Sequence, residues 1–170
     1  MATLDGKVAI ITGGGTGVGR ATAMLFAGEG ARVVVFGRRP EPLADVVDTI
    51  LKAGGQASAV SGDVASEADV ERLAAAAARD HGGVDILVNS AAVRLRSALV
   101  EISAADFAEV LRINLVGAFV VTKTVAAAMR ARFCGEYALL PLSKSTVLHL
   151  GTAGVCFPRP FEALLLERRT

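Results

Sequence analysis

The stretch that decides the fold is Lys7-Val8-Ala9-Ile10-Ile11-Thr12-Gly13-Gly14-Gly15-Thr16-Gly17-Val18-Gly19-Arg20-Ala21-Thr22. Its first six residues form an apolar, β-branched run of strand length, five glycines fill the seven positions 13–19, and a helix-forming run comes directly after. Strand, glycine turn and helix N-terminus in that order make an anion cradle. Unpaired backbone N–H groups and the positive end of the helix dipole face a diphosphate, and no side chain holds the backbone away from it. Gly13 suits the tight turn, Gly17 the close approach of the phosphates, and Gly19 the packing of helix on strand. The spacing is Thr-Gly-x-x-x-Gly-x-Gly, wider than G-x-G-x-x-G, and the loop lacks the Gly-Lys-Ser/Thr ending, which excludes a P-loop nucleoside triphosphatase. Thr12, Gly13, Gly15, Thr16, Gly17, Val18 and Gly19 are therefore the candidate pyrophosphate-binding residues of a dinucleotide site.

Outward from this loop the chain alternates short buried-strand patterns with longer Ala-rich, charge-dotted segments. The apolar runs predict strands over 7–12, 32–36, 56–61 and 84–89, and the segments between them predict helices over 17–28, 42–53, 67–81 and 104–130. Ser66 before Asp69 and Ser103 before Asp106 are N-cap signatures, and Gly28, Gly54 and Gly82 stand where helices should stop. The pattern is that of an α/β, Rossmann-like doubly wound parallel sheet, incomplete at its C-terminal side. It divides the chain into a dinucleotide-binding domain over 1–132 and a divergent remnant of the same domain over 133–170. The rhythm fades after Arg132 as it would after a deletion or a change of reading frame.

Composition bounds the partners. In 170 residues, 18 Lys and Arg nearly cancel 17 Asp and Glu, so the net charge of +1 gives no broad field for nucleic acid or an anionic membrane. The mean hydropathy of +0.50 belongs to a core or a subunit interface. The longest uninterrupted apolar stretch, residues 115–121, falls well below the roughly 20 residues of a spanning helix. Cys134 and Cys156 lie far apart with no metal-ligand spacing, so neither a disulfide framework nor a metal site is expected, and a reducing cytoplasm fits. The start of the chain carries no cationic, apolar leader pattern.

From about Lys7 through the glycine octet to about Lys123, the chain resembles the short-chain dehydrogenase/reductase family. That resemblance implies hydride transfer between NAD(H) or NADP(H) and a small alcohol or carbonyl substrate. Where an acidic residue would read the ribose 2′-hydroxyl of NAD, this chain has Gly37 and then Arg38 and Arg39. Planar, permanently charged guanidinium groups suit a 2′-phosphate, so NADP(H) is favoured over NAD(H), with Arg38 the first contact. The plainer alternative makes both arginines solvated turn residues ahead of Pro40. By the same resemblance Asp63, with Val64 next to it, meets the adenine amino group; capping of the next helix is the alternative. Asn89-Ser90-Ala91-Ala92 is similar to the family's Asn-Asn-Ala-Gly, which puts Asn89 and Ala91 beside the cofactor. Ala92 replaces a glycine there and would crowd the site if that position needed a positive φ.

The resemblance also implies catalytic residues. Asn114 matches a helix asparagine whose backbone carbonyl supports a water in a proton relay, and packing is its alternative role. The family then needs a serine, a tyrosine as general acid/base, and a lysine four residues later, one helical turn away, to lower the phenol pKa. Tyr137 is the only tyrosine, and Pro141 stands four residues on. Aligned on Ser143-Lys144, the tyrosine position falls on Leu140. Tyr137 and Lys144 are thus a surrogate pair at i, i+7, about 10 Å apart on a helix. Pro141 suits the first turn of a helix starting after Tyr137, or 136–140 form a replacement fifth strand in which Tyr137 only packs. Ser143, Ser145 and Thr146 read as helix N-terminal residues, and 161–166 as a short amphipathic helix. His81 and His149 each close a helical stretch, where a cation suits the dipole. The family assembles through the helix that carries Asn114, so a homo-oligomer is expected. A shortened relative that binds the dinucleotide without hydride chemistry is the other reading.

Overall fold

The computed structural model describes residues 3–132, 137–141 and 154–158 of the chain. The elements run β1 (Val8–Thr12), α1 (Gly17–Gly28), β2 (Arg32–Gly37), α2 (Pro40–Lys52), β3 (Gln56–Ser61), α3 (Glu67–His81) and β4 (Ile86–Asn89). After a loop come α4 (Ala104–Leu111), a π-helical segment (Arg112–Gly117) and α5 (Ala118–Arg132), then β5 (Tyr137–Pro141) and β6 (Gly154–Pro158). The strands form one six-stranded sheet in the order β3-β2-β1-β4-β6-β5. β3, β2, β1 and β4 are parallel, whereas β6 is antiparallel to both β4 and β5. The order reverses between β1 and β4, so the C-terminal ends of these strands open a crevice at the switch point.

Strand alternation divides the core between two faces. Ile10, Val34, Phe36 and Leu87 pack with Leu73 of α3 and with Val121, Val125 and Met129 of α5. Ala9, Ile11, Val33, Val35 and Val88 pack with Ala23 of α1 and with Leu43, Val46 and Ile50 of α2. Both sides of β1 and β2 are thus buried, which is why those strands read as continuous apolar runs. Residues 104–129 are, by length and composition alone, apolar enough to cross a membrane. Here that apolar content includes a face against the sheet, with Ile113, Val121, Val125 and Met129 buried.

Several expectations change in detail. Helix α2 begins at Pro40 rather than Pro42, with Arg39 at the N-cap and proline in the first turn, where its missing N–H costs nothing. The expected single helix over 104–130 is broken by the π turn, whose extra residue per turn re-aims Asn114. Residues Tyr137–Pro141 form a strand, so Pro141 opens no helix. That strand is not a direct neighbour of β4, because β6 lies between them. Both cap serines act as read: Ser66 Oγ accepts from the Asp69 amide at 3.3 Å and Ser103 Oγ from the Asp106 amide at 3.0 Å. Gly82 closes α3 in the left-handed region at φ 81°.

Candidate dinucleotide-binding site

The crevice is a cavity of about 490 Å³ at the C-terminal ends of the parallel strands. Its first wall is the glycine loop, through Gly13, Gly15 and Thr16, while Gly17, Val18 and Gly19 stand beyond the lining. Gly13 has φ +66°, and a Cβ there would lie 2.9 Å from the Ala91 backbone. The loop is tied to the sheet by the Gly13 and Gly14 amides, which donate to Phe36 O at 2.8 and 3.3 Å. Gly17 has φ +54° with nothing within 4 Å of an added Cβ, so it is required for its conformation and faces open space. A Cβ on Gly19 would stand 2.3 Å from Gly13 O. Gly19 therefore lets α1 close onto the loop's own backbone, a different contact from the helix-on-strand packing expected of it.

Thr16, the N-cap of α1, is extended and makes no side-chain capping bond, and no acidic residue stands in the first turn. The first amides of α1, at Gly17, Val18 and Gly19, thus present positive potential with no carboxylate of their own helix competing for it. A cradle with two positive-φ glycines and a third position closed to any Cβ fits a diphosphate.

Thr12 does not line the cavity. It is buried beneath the loop, donates to Val88 O at 3.4 Å, and accepts the Ser90 and Ala91 amides at 3.1 and 3.2 Å. It joins the end of β1 to the turn after β4. Asn89 is buried as well: its Nδ2 donates to Thr122 Oγ1 at 2.9 Å, and its Oδ1 has no hydrogen-bond partner among the described residues. Ala91 lines the cavity together with Ala92 and Val93. No non-glycine residue has a positive φ among those described, so alanine at position 92 brings no backbone strain.

The second wall carries Gly37 at the end of β2, then Arg38 and Arg39, with Pro42 and Leu43 of α2. Both arginines are exposed at the rim, and neither guanidinium has an ion-pair partner among the described residues. Arg39 is the N-cap residue of α2, without a side-chain capping bond, and it lines the cavity.

Asp63 and Val64 form the third side. The Asp63 Oδ1 accepts the Ala65 amide and Oδ2 accepts Arg112 Nη2, each at 2.9 Å. Partial burial pushes this carboxyl up, but the Ala65 amide and the Arg112 guanidinium outweigh it and hold the group below the usual carboxylate range. Asp63 does not cap α3 with its side chain, because Ser66 does so. Asp69, expected only to face the helix dipole, accepts the Asp63 amide at 2.9 Å and so holds the loop after β3.

Asn114 is buried and makes a reciprocal pair with one residue: Oδ1 accepts Val93 N and Nδ2 donates to Val93 O, both at 2.9 Å. It thereby fixes the loop after β4, a role its match to a relay asparagine does not suggest. Tyr137 is not brought to the cavity. Asn89 pairs with Gly154 and Gly154 with Pro141, so the cavity end of β5 is Pro141. Tyr137 lies four residues back, about 13 Å along the strand toward the opposite end of the sheet. Lys144, Ser143, Ser145, Thr146, His149 and residues 161–166 lie outside the described residues. The site residues that sequence reasoning missed are Pro42, Leu43, Gly62, Val93, Ile113 and Arg112. Gly62 alone carries a signal, a glycine directly after a strand; a Cβ on it would lie 2.8 Å from the Phe36 ring.

The comparisons with known proteins agree with this fold. A family model described as short chain dehydrogenase matches residues 7–136. A 3-oxoacyl-[acyl-carrier-protein] reductase of Synechocystis is 35% identical over 137 residues, 80% of this chain and 56% of that protein. A glucose 1-dehydrogenase of Gluconobacter oxydans is 36% identical over 121 residues, 71% of this chain and 46% of that protein. The solved structure of a citronellol catabolism dehydrogenase from Pseudomonas aeruginosa superposes with a TM-score of 0.71 at 38% identity, covering 76% of this chain and 53% of that one. The chain belongs to the short-chain dehydrogenase family. It spans about half the length of the curated relatives it matches.

Proposed function

We propose that this chain binds NADP(H) in the crevice and that the protein is an oxidoreductase moving hydride between that cofactor and a small alcohol or carbonyl compound. The observation that carries the reading is one continuous cavity running from the glycine loop to Arg38 and Arg39 on one side and to Asp63 on another. When bound, a nicotinamide supplies or accepts the hydride. The chain's own residues hold and orient it. The loop backbone and the amides of α1 bind the diphosphate, Arg38 and Arg39 supply paired charge for a 2′-phosphate, and Asp63 accepts from the adenine amino group. Ala91, Ala92 and Val93, held by Thr12 and Asn114, shape the wall along the nicotinamide half. The even charge balance and the two separated cysteines support a cytoplasmic enzyme with a small-molecule substrate and no nucleic-acid or membrane partner.

The placement of Tyr137 at the far end of β5 favours a second reading for this particular chain, binding without turnover. One titration separates the two. NADPH and NADH binding are followed by nicotinamide fluorescence, which no tryptophan complicates because the chain has none, and carbonyl turnover is read in the same sample. Arg38→Asp is expected to reverse the NADPH/NADH preference; an unchanged ratio refutes the 2′-phosphate assignment. We also propose a homo-oligomer through the helix carrying Asn114, on which Phe107, Leu115, Val116 and Phe119 are exposed. Sedimentation as a monomer at micromolar concentration would refute it.

A further inference from the structure

The side chain on the Asp63 carboxylate comes from an element 49 residues away. Arg112 opens the π turn, and its guanidinium spans two carboxylates. Nε and Nη2 reach Glu109 Oε2 and Oε1 at 2.7 and 2.9 Å, while Nη2 also reaches Asp63 Oδ2 at 2.9 Å. Glu109 thus fixes the plane of the fork, and the fork fixes the second oxygen of Asp63; the Ala65 amide already fixes the first. The far end of the same turn presses on the next residue of the cavity wall, because a Cβ on Gly117 would lie 2.6 Å from Val64 Cγ2. Between the two ends, Ile113 lines the cavity and Asn114 holds Val93.

We propose that Arg112 is the positioning residue for the base end of the dinucleotide: it locks the Asp63 carboxylate, ionised and in one rotamer, as the acceptor for the exocyclic amino group of adenine. This rests on the cofactor reading above. An aspartate pinned through one oxygen still swings about its χ angles, and an acceptor that swings discriminates poorly between a donor and an acceptor on the base. With both oxygens engaged, the remaining lone pairs keep a fixed direction. A base carrying a carbonyl in place of the amino group then meets acceptor against acceptor.

The test measures binding of NADPH and of its hypoxanthine counterpart to the whole chain by nicotinamide fluorescence. Wild type is expected to favour the adenine form about tenfold, the scale of one hydrogen bond to a charged group. Arg112→Gln is expected to bring the two forms within about twofold. Arg112→Lys, which keeps the charge but not the fork, and Glu109→Gln, which frees the fork, should fall between and guard against a variant that does not fold. If Arg112→Gln keeps the tenfold ratio, or weakens both forms by one common factor, the arginine is a structural tether and the proposal is overturned. A wild type that binds both forms alike overturns it by removing Asp63 from the base, while leaving NADPH binding on the glycine loop intact. A wild type that binds neither form overturns the site reading itself.

Discussion

The two sides of the crevice are built from different materials. The phosphate side, Gly13 to Gly19, is shaped by its backbone, and at Gly13, Gly14 and Gly19 close contacts leave no room for a Cβ. The opposite side, where the loops after β3 and β4 meet the π turn, is held by side chains: Asp63 to Arg112, Asn114 to Val93, and Thr12 to Ser90 and Ala91. A backbone cradle answers substitution by steric exclusion, an all-or-none response. A side-chain scaffold answers in steps, one hydrogen bond at a time.

The sharpest way to break that contrast is at Gly19. With Gly13 O only 2.3 Å from the added Cβ, Gly19→Ala must move either α1 or the loop. The expected result is a loss of about 1–3 kcal/mol in denaturant unfolding. NADPH binding should fall at least a hundredfold, because the amides no longer converge. Gly17→Asn is the matched control for stability alone, since the position has open space and asparagine tolerates its φ of +54°. A Gly19→Ala protein that binds NADPH like wild type would remove the steric account.

On the other side the effects should be graded. Asn114→Leu leaves the half-buried Val93 amide and carbonyl without the partner that serves both, at a cost of about 1–2 kcal/mol. Thr12→Val keeps the shape but removes the acceptor shared by two amides, at about 1–2 kcal/mol, and Thr12→Ser should recover most of it. Both variants are expected to fold and to bind NADPH several-fold more weakly, with the loop after β4 gaining hydrogen exchange at Val93 or Ala91. A loss of NADPH binding in either protein on the scale expected of Gly19→Ala would erase the distinction between the two walls.

The same division explains what is legible in the sequence. The glycine side is readable because everything it needs is local: β1, the turn and the start of α1 lie within sixteen consecutive residues, and each glycine marks a backbone demand. Ser66 and Ser103 are readable for the same reason, since a cap reaches only three residues along the chain. The scaffold side is not. Arg112 finds Asp63 across 49 positions and Asn114 finds Val93 across 21, and no periodicity encodes such a meeting. The π turn has no distinguishing composition in Arg-Ile-Asn-Leu-Val-Gly. The start of α2 reads two residues late because Arg39 is a poor N-cap by residue type, and Pro42 competes with Pro40 as the first-turn signal. Tyr137 is a candidate catalyst by its side-chain chemistry alone, whereas its distance from the cavity comes only from the antiparallel register of β5 and β6.

The smallest expected effect lies away from the crevice and shows whether graded, side-chain-held structure extends to the sheet's parallel edge. His81 ends α3 and its Nε2 sits 2.9 Å from Ser58 Oγ on β3, while its carbonyl accepts Arg32 Nη1 at 3.2 Å. The sequence suggests a cation favoured by the helix dipole. Instead partial burial, together with the Arg32 charge, pushes the imidazole below its usual value of 6.5 despite Asp80 nearby. The folded state thus prefers the neutral ring, and the unfolded chain binds the proton first. Stability should therefore decline as pH drops below about 6.5 and level off below the folded value, with a slope no steeper than about 1.4 kcal/mol per pH unit. Asp63 titrates in a separate window: its contribution is intact above 3.8 and disappears as pH falls through its lower folded value. Denaturant unfolding at a series of pH values should show the first decline in wild type and a flatter profile in His81→Gln. A wild-type profile that rises toward acid would mean that the ring is stabilised as a cation and that the dipole outweighs burial at this edge.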